Sequence, residues 1–135
     1  MSRLGAIQNA VGVHVTAAFT AAGETVTLGY DPIDIDTVPK DQFPYAILLF
    51  AEEDPERLAF KQERRRVSGT VAIAMINATR ENVNARIEAI RDLIFADETL
   101  NSSVDDITCE AGRCVSNPDD EIKYGTLDIS TEEVF

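Results

Sequence analysis

The chain predicts an α+β fold, a two-layer sandwich of a mainly antiparallel sheet covered by two helices on one face. Three observations predict it. Val67, Gly69, Val71, Ile73 and Met75 alternate with the mostly small Ser68, Thr70, Ala72, Ala74 and Ile76, which is the period of a strand. Val83, Ile87, Ile90 and Ile94 then recur at intervals of four, three and four, which is one apolar stripe on a helix. Leu4, Ile7, Val11, Val15 and Phe19 form a second such stripe near the start of the chain. A length of 135 residues with 44% hydrophobic content suits a single domain, residues 1–135, with a real core.

Met1 to about Ala22 reads as the first helix, with Ala6, Ala10, Ala17, Ala18 and Ala21 between the stripe positions and Gly23 as its stop. Gly12 and the β-branched Val11, Val13, Val15 and Thr16 weaken its middle. The single histidine, His14, lies here without a second His or a nearby Cys, so a structural role is expected rather than metal ligation or base catalysis. Glu24 to Leu28 alternates as a short strand.

Tyr30 to Pro44 is an extended surface connection, set by three prolines and a run of aspartates. Asp31, Asp34, Asp36 and Asp41 do not follow the EF-hand spacing, because a turn glycine and a closing glutamate are missing. Tyr45 to Phe50 is a continuous apolar run, which predicts a strand buried on both faces, either central or at an interface. Residues 51–63 are charged and contain Pro55, which predicts an exposed loop at the tip of a hairpin spanning 45–76.

Lys61, Arg64, Arg65 and Arg66 gather positive charge at the base of that tip. The cluster is either the solvated start of a strand, a contact with acidic surface on another subunit, or a phosphate contact. Thr79 is the expected N-cap of the second helix, and Glu81 places a carboxylate in its first turn, where the helix dipole favours it. Burial of each stripe residue contributes roughly 1.5–3 kcal/mol before entropy is counted.

Asp105 to Val115 alternates through Ile107, Cys109 and Ala111. Cys109 and Cys114 have neither the spacing of a redox pair nor enough company for zinc; they read as reduced thiols, with a disulfide inside a hairpin as the alternative. Asn117-Pro118-Asp119-Asp120 marks a turn, and Lys123 to Ser130 alternates again. Residues 131–135 are either a docking tail or a last strand.

Acidic residues number 24 against 12 basic ones, a net charge of −12, and such a surface repels phosphate. It argues against nonspecific nucleic-acid binding, though not against a wall past which DNA slides. The apolar runs fall short of a bilayer span, and the basic-then-apolar pattern of a secretory signal is missing, so cytoplasmic synthesis is expected. No nucleophile–histidine pairing, phosphate-cradling glycine loop or paired-carboxylate spacing occurs, so no cofactor, metal or catalytic residue is assigned.

The order of elements resembles the tail terminator proteins of long-tailed bacteriophages, a tail-completion and neck protein family. The resemblance rests on Phe43-Pro44-Tyr45 opening the apolar strand, Arg64-Arg65-Arg66 leading into the alternating strand, Thr79-Arg80-Glu81-Asn82 starting the helix, and the closing Gly125-Thr126-Leu127-Asp128-Ile129. It implies a structural virion protein, not an enzyme, assembled in the host cytoplasm and located in the tail or neck. Its partners would be further copies in a homo-oligomeric, hexameric ring, the tail tube protein and the head-to-tail connector protein, with DNA passing through the lumen without specific binding. The ring would cap the tube, stop its elongation and offer the surface for head-tail joining. Lys61, Arg64, Arg65, Arg66, Tyr45, Phe50 and Phe60 are the expected subunit or partner interface. Another neck or head-completion ring of the same virion is the alternative, followed by a small-molecule-binding α/β domain.

Overall fold

The structure is a computed structural model that describes residues 3–32, 34, 37–52, 56–59, 62–97, 106–110, 114 and 121–134. Its elements are α1 (Arg3–Ala21), β1 (Thr27–Gly29), β2 (Tyr45–Glu52), β3 (Glu56–Ala59), β4 (Gln62–Ile76), α2 (Arg80–Ala96), β5 (Asp106–Glu110) and β6 (Ile122–Val134). The sheet runs β1-β2-β4-β6-β5, with β3 also paired to β4. Among the described strands, β1–β2 is parallel and the other pairings are antiparallel.

The α1 stripe does what its spacing dictates. Ile7, Val11, Val15 and Phe19 are buried, Leu4 packs against them, and Ala18 joins the core. Gly23 ends the helix at φ 78°. Its N–H donates to the Thr20 carbonyl (2.9 Å), and the Glu24 N–H donates to the Phe19 carbonyl (2.9 Å). These two bonds form a Schellman cap, which a side chain with a Cβ would disfavour. Gly12, which weakens the helix by propensity, is buried against β1 and β2; Leu28, Tyr30 and Leu48 surround the space its Cβ would take.

In α2, the Thr79 hydroxyl accepts the Asn82 N–H at 3.1 Å, and Val83, Ile87, Ile90 and Ile94 are the buried residues. Both helices lie on the same side of the sheet, facing Ala46 and Leu48 of β2, Val67, Val71, Ile73 and Met75 of β4, and Leu127 and Ile129 of β6. Gly125 lets α2 approach closely: a Cβ there would lie 2.1 Å from Ile87 Cδ1 and 2.7 Å from Val83 Cγ1. Polar ties join the two helical regions. His14 Nε2 meets Asp97 Oδ2 at 2.9 Å, and Arg86 Nε meets Glu24 Oε1 at 2.6 Å.

Two expectations need correction, and for residues 131–134 the structure decides for a last strand over a docking tail. Residues 51–63 are not simply a loop, because 51–52 complete β2, 56–59 form β3 and 62–63 begin β4. Residues 131–134 belong to β6 and pair with Val67 to Arg64 of β4. The Tyr45–Phe50 strand is central but has one buried face: Ala46 and Leu48 are buried, whereas Leu49 is 38% exposed and Tyr45 and Ile47 are half-buried. Its apolar character on both faces masks which face meets the helices.

Candidate subunit interface

Among the described residues, both helices lie on one side of the sheet. On the other side the register places side chains in rows across the strands. Tyr45, Ala74 and Tyr124 form one row, and Ile47, Ala72 and Thr126 the next. Ile76 and Ile122 extend this region at one end. At the other end come Leu49, Thr70 and Asp128, then Ala51, Ser68 and Ser130. Small residues occupy β4 from Ser68 to Ala74 on this face, so there β4 is the floor of a shallow trough between the larger side chains Tyr45, Ile47 and Leu49 of β2 and Tyr124 of β6. Tyr45 widens it by lying over Gly29, where a Cβ would be 2.5 Å from the phenol oxygen. From Ile76 to Thr126 these rows carry no charge, in a chain whose residues are 27% charged.

Charge returns in the Leu49 row itself, with Asp128. Thr70 donates to Asp128 at 2.8 Å. Glu110 of β5 stands directly opposite Asp128, and Asp106 opposite Glu132. Like charges opposite one another destabilise a strand pair, but they also protect an edge strand from pairing with other chains.

The core ends at the row Val67, Thr131 and Ile107, where the Thr131 hydroxyl closes on the Val67 carbonyl at 3.1 Å. Past it, β3, the start of β4 and the end of β6 extend as an arm. There the backbone register pairs β3 with β4, and across to β6 Arg65 opposes Glu133 and Arg66 opposes Glu132. Arg64 Nε contacts Glu132 Oε1 at 2.9 Å, and Arg66 Nε lies 3.8 Å from Glu132 Oε2. Opposite charges across a strand pair contribute roughly 0.2–1 kcal/mol each.

The expected interface residues therefore separate. Tyr45 lies on the open face. Arg64 and Arg66 share that side of the sheet and already hold Glu132 of their own chain; Arg65 points to the opposite side, across from Glu133. Phe50 is on the helix side, half-buried over Gly69, where a Cβ would come within 2.4 Å of its ring. Phe60 and Lys61 lie outside the described residues. Glu132 and Glu133, which balance the arginines, were hidden from sequence reasoning because they lie more than sixty residues away in β6.

No protein-family model matches this chain, and no curated protein is similar to it in sequence.

The remaining chemistry-bearing groups are embedded in the scaffold. His14 bridges α1 to Asp97 at the C-cap of α2. Cys109 and Cys114 are both free and buried. Cys109 opposes Ile129, and Cys114 opposes Gly125. Those partners are four residues apart on β6, about 13 Å by strand rise, and a disulfide needs Cα atoms about 4.4–6.8 Å apart. Burial pushes the Cys109 thiol from its ordinary 9.0 up to about 11, with the Arg91 charge pulling partly the other way. The Cys114 backbone is pinned to α2: its N–H donates to Asn84 Oδ1 at 2.6 Å, and its carbonyl accepts from Arg80 at 3.3 Å. Among the described residues, no group of three His, Cys, Asp or Glu side chains is placed to hold a metal ion. Among the described residues, no helix is long and apolar enough to cross a membrane.

Proposed function

We propose that this chain is a structural subunit that assembles with copies of itself into a ring, in the manner of phage tail terminators. The ring caps a tail tube, ends its elongation and presents a surface to the head connector. Its action is surface matching between subunits, with no bond made or broken. The single observation that supports this reading is the partly exposed, uncharged sheet face of Tyr45, Ile47, Ala72, Tyr124 and Thr126 around the buried Ala74, which no described helix covers. An apolar face left open on a chain of net charge −12 is suited to contact with another protein surface.

The alternating strand and the α2 stripe supply a rigid two-layer unit, which an assembling subunit needs for repeated contacts to superpose. The acidic balance suits a lumen that DNA crosses without sticking. Purified protein examined by native mass spectrometry and electron microscopy, with and without tail tubes, tests the reading. Rings alone or on tube ends are expected. A monomer at every concentration that leaves tubes uncapped would refute it.

A further inference from the structure

The two helices differ in what they show to water. α2 carries Arg80, Glu81, Arg86, Glu88, Arg91 and Asp92, as a helix with a solvated face normally does. In the nineteen residues of α1 the only permanent charge is Arg3, and there is no carboxylate. Its exposed residues Asn9, Val13, Thr16, Ala17, Thr20 and Ala21 are small and neutral, and Val13 is 66% exposed. With no acidic residue in its first turn, the helix itself leaves the positive end of its dipole without an opposing charge.

We propose that this outer face of α1 lies in the trough over β4 on the open sheet face of a second copy, in a head-to-tail contact. The inference rests on the ring reading above and names what fills its sheet face. Shape and charge both favour α1 of a second copy as the occupant. The side chains of β2 and β6 that flank the trough stand two strand spacings apart, about 10 Å, which is the diameter of an α-helix with small side chains. The floor from Ser68 to Ala74 is about 20 Å long, and the exposed face from Asn9 to Ala21 is about 18 Å long. Charge sets the direction. The trough is uncharged from Tyr45 to Thr126, and its carboxylate, Asp128 with Glu110 opposite, stands toward one end. The N-terminal end of α1 meets that end, positive dipole to carboxylate. Two chains of net charge −12 join there without bringing carboxylates together, because α1 has none. A contact between unlike surfaces leaves each subunit with one used and one free surface, so it propagates until a ring closes.

Val13→Lys and Thr126→Lys are each made in the full chain, with thermal melting as the check on the fold; Ala17→Lys or Asp128→Lys replaces whichever of them melts early. Each variant alone is expected to weaken self-association by roughly 30-fold or more, read by sedimentation velocity. An equimolar mixture of the helix and sheet variants is expected to form a one-to-one dimer that grows no further, because each keeps the surface the other has lost. If wild type forms rings and either variant forms them equally well, the contact is overturned and the ring reading stands. Loss of association in the helix variant alone would mean that α1 pairs with α1. Two folded monomeric variants that do not dimerise when mixed also overturn the contact. A wild-type chain that stays monomeric at every concentration overturns it too, and the ring reading falls with it if tubes are left uncapped.

Discussion

Adding one methyl group at Gly125 tests how α2 sits on the sheet. In Gly125→Ala the new Cβ lies 2.1 Å from Ile87 Cδ1, 3.1 Å from Ile87 Cγ1 and 2.7 Å from Val83 Cγ1. Carbon atoms in contact prefer about 3.5–4.0 Å, so the overlap exceeds 1 Å at Ile87. The Cδ1 methyl can rotate away. Val83 cannot, because a β-branched side chain in a helix has one strongly preferred rotamer. Val83 and Ile87 are 0% and 2% exposed, so α2 itself must lift and loosen the packing along its stripe. Overpacking of this kind costs about 1–3 kcal/mol, and the rigid Val83 contact places this case near the top of that range. Tm falls by roughly 10 °C for a domain of this size. Urea and thermal melts measure the loss. A double-mutant cycle with Ile87→Val locates it, because removing Cδ1 costs less in the alanine background than in wild type. A Gly125→Ala protein that melts within about 2 °C of wild type would refute the close approach.

Ile90 is 0% exposed, so Ile90→Asp buries a carboxylate without a partner and is expected to abolish cooperative unfolding; a sharp melt at the wild-type Tm would contradict the stripe. The Cys109 thiol binds its proton more tightly in the folded chain than in the unfolded one, so stability falls as pH rises from 9 toward 11. Cys109→Ala should flatten that alkaline slope relative to wild type in chemical denaturation, and both thiols should stay unreactive to aromatic disulfide reagents until the chain unfolds. The charge pairs between β4 and β6 predict that amides at 64–66 and 132–134 exchange roughly five-fold faster in 1 M salt while those at 71–75 are unchanged. Reversing Arg64, Arg65 and Arg66 to Glu sets them against Glu132 and Glu133 and should speed exchange in the same segments at low salt; restoring opposition with Glu132→Arg and Glu133→Arg should slow it again.

Helices and core were legible because their apolar spacing is local. The α1 and α2 stripes could be read residue by residue, as could Gly23 and Thr79, since each acts within a turn or two of its own position. What the sequence hid depends on register. Residues 56–66 lack a sustained apolar alternation, so nothing local marks them as strand; the carboxylates opposite Arg65 and Arg66 lie in β6, and that opposition exists only once the strands are aligned. The same alignment gives Arg64 and Arg66 their partner Glu132 and holds Cys109 apart from Cys114. Phe50 was placed at the interface because an uninterrupted apolar run carries no parity, and Gly69 beneath it decides its side. The open face is partly legible in the small residues Ala72 and Ala74, which alternate with the bulky Val71, Ile73 and Met75.

β4 and β6 stay in register without interruption from Arg64–Val134 to Ile76–Ile122, thirteen positions or about 43 Å. Such a ribbon acts as a beam with one end clamped beneath α2 at Gly125 and the other projecting as the arm. A sideways load on the projecting end is carried as torque to the Gly125–Ile87 seat rather than absorbed by a hinge. A mechanical pull applied at Glu133 would therefore yield first where α2 meets β6, which is also where the chain has left no room for slack.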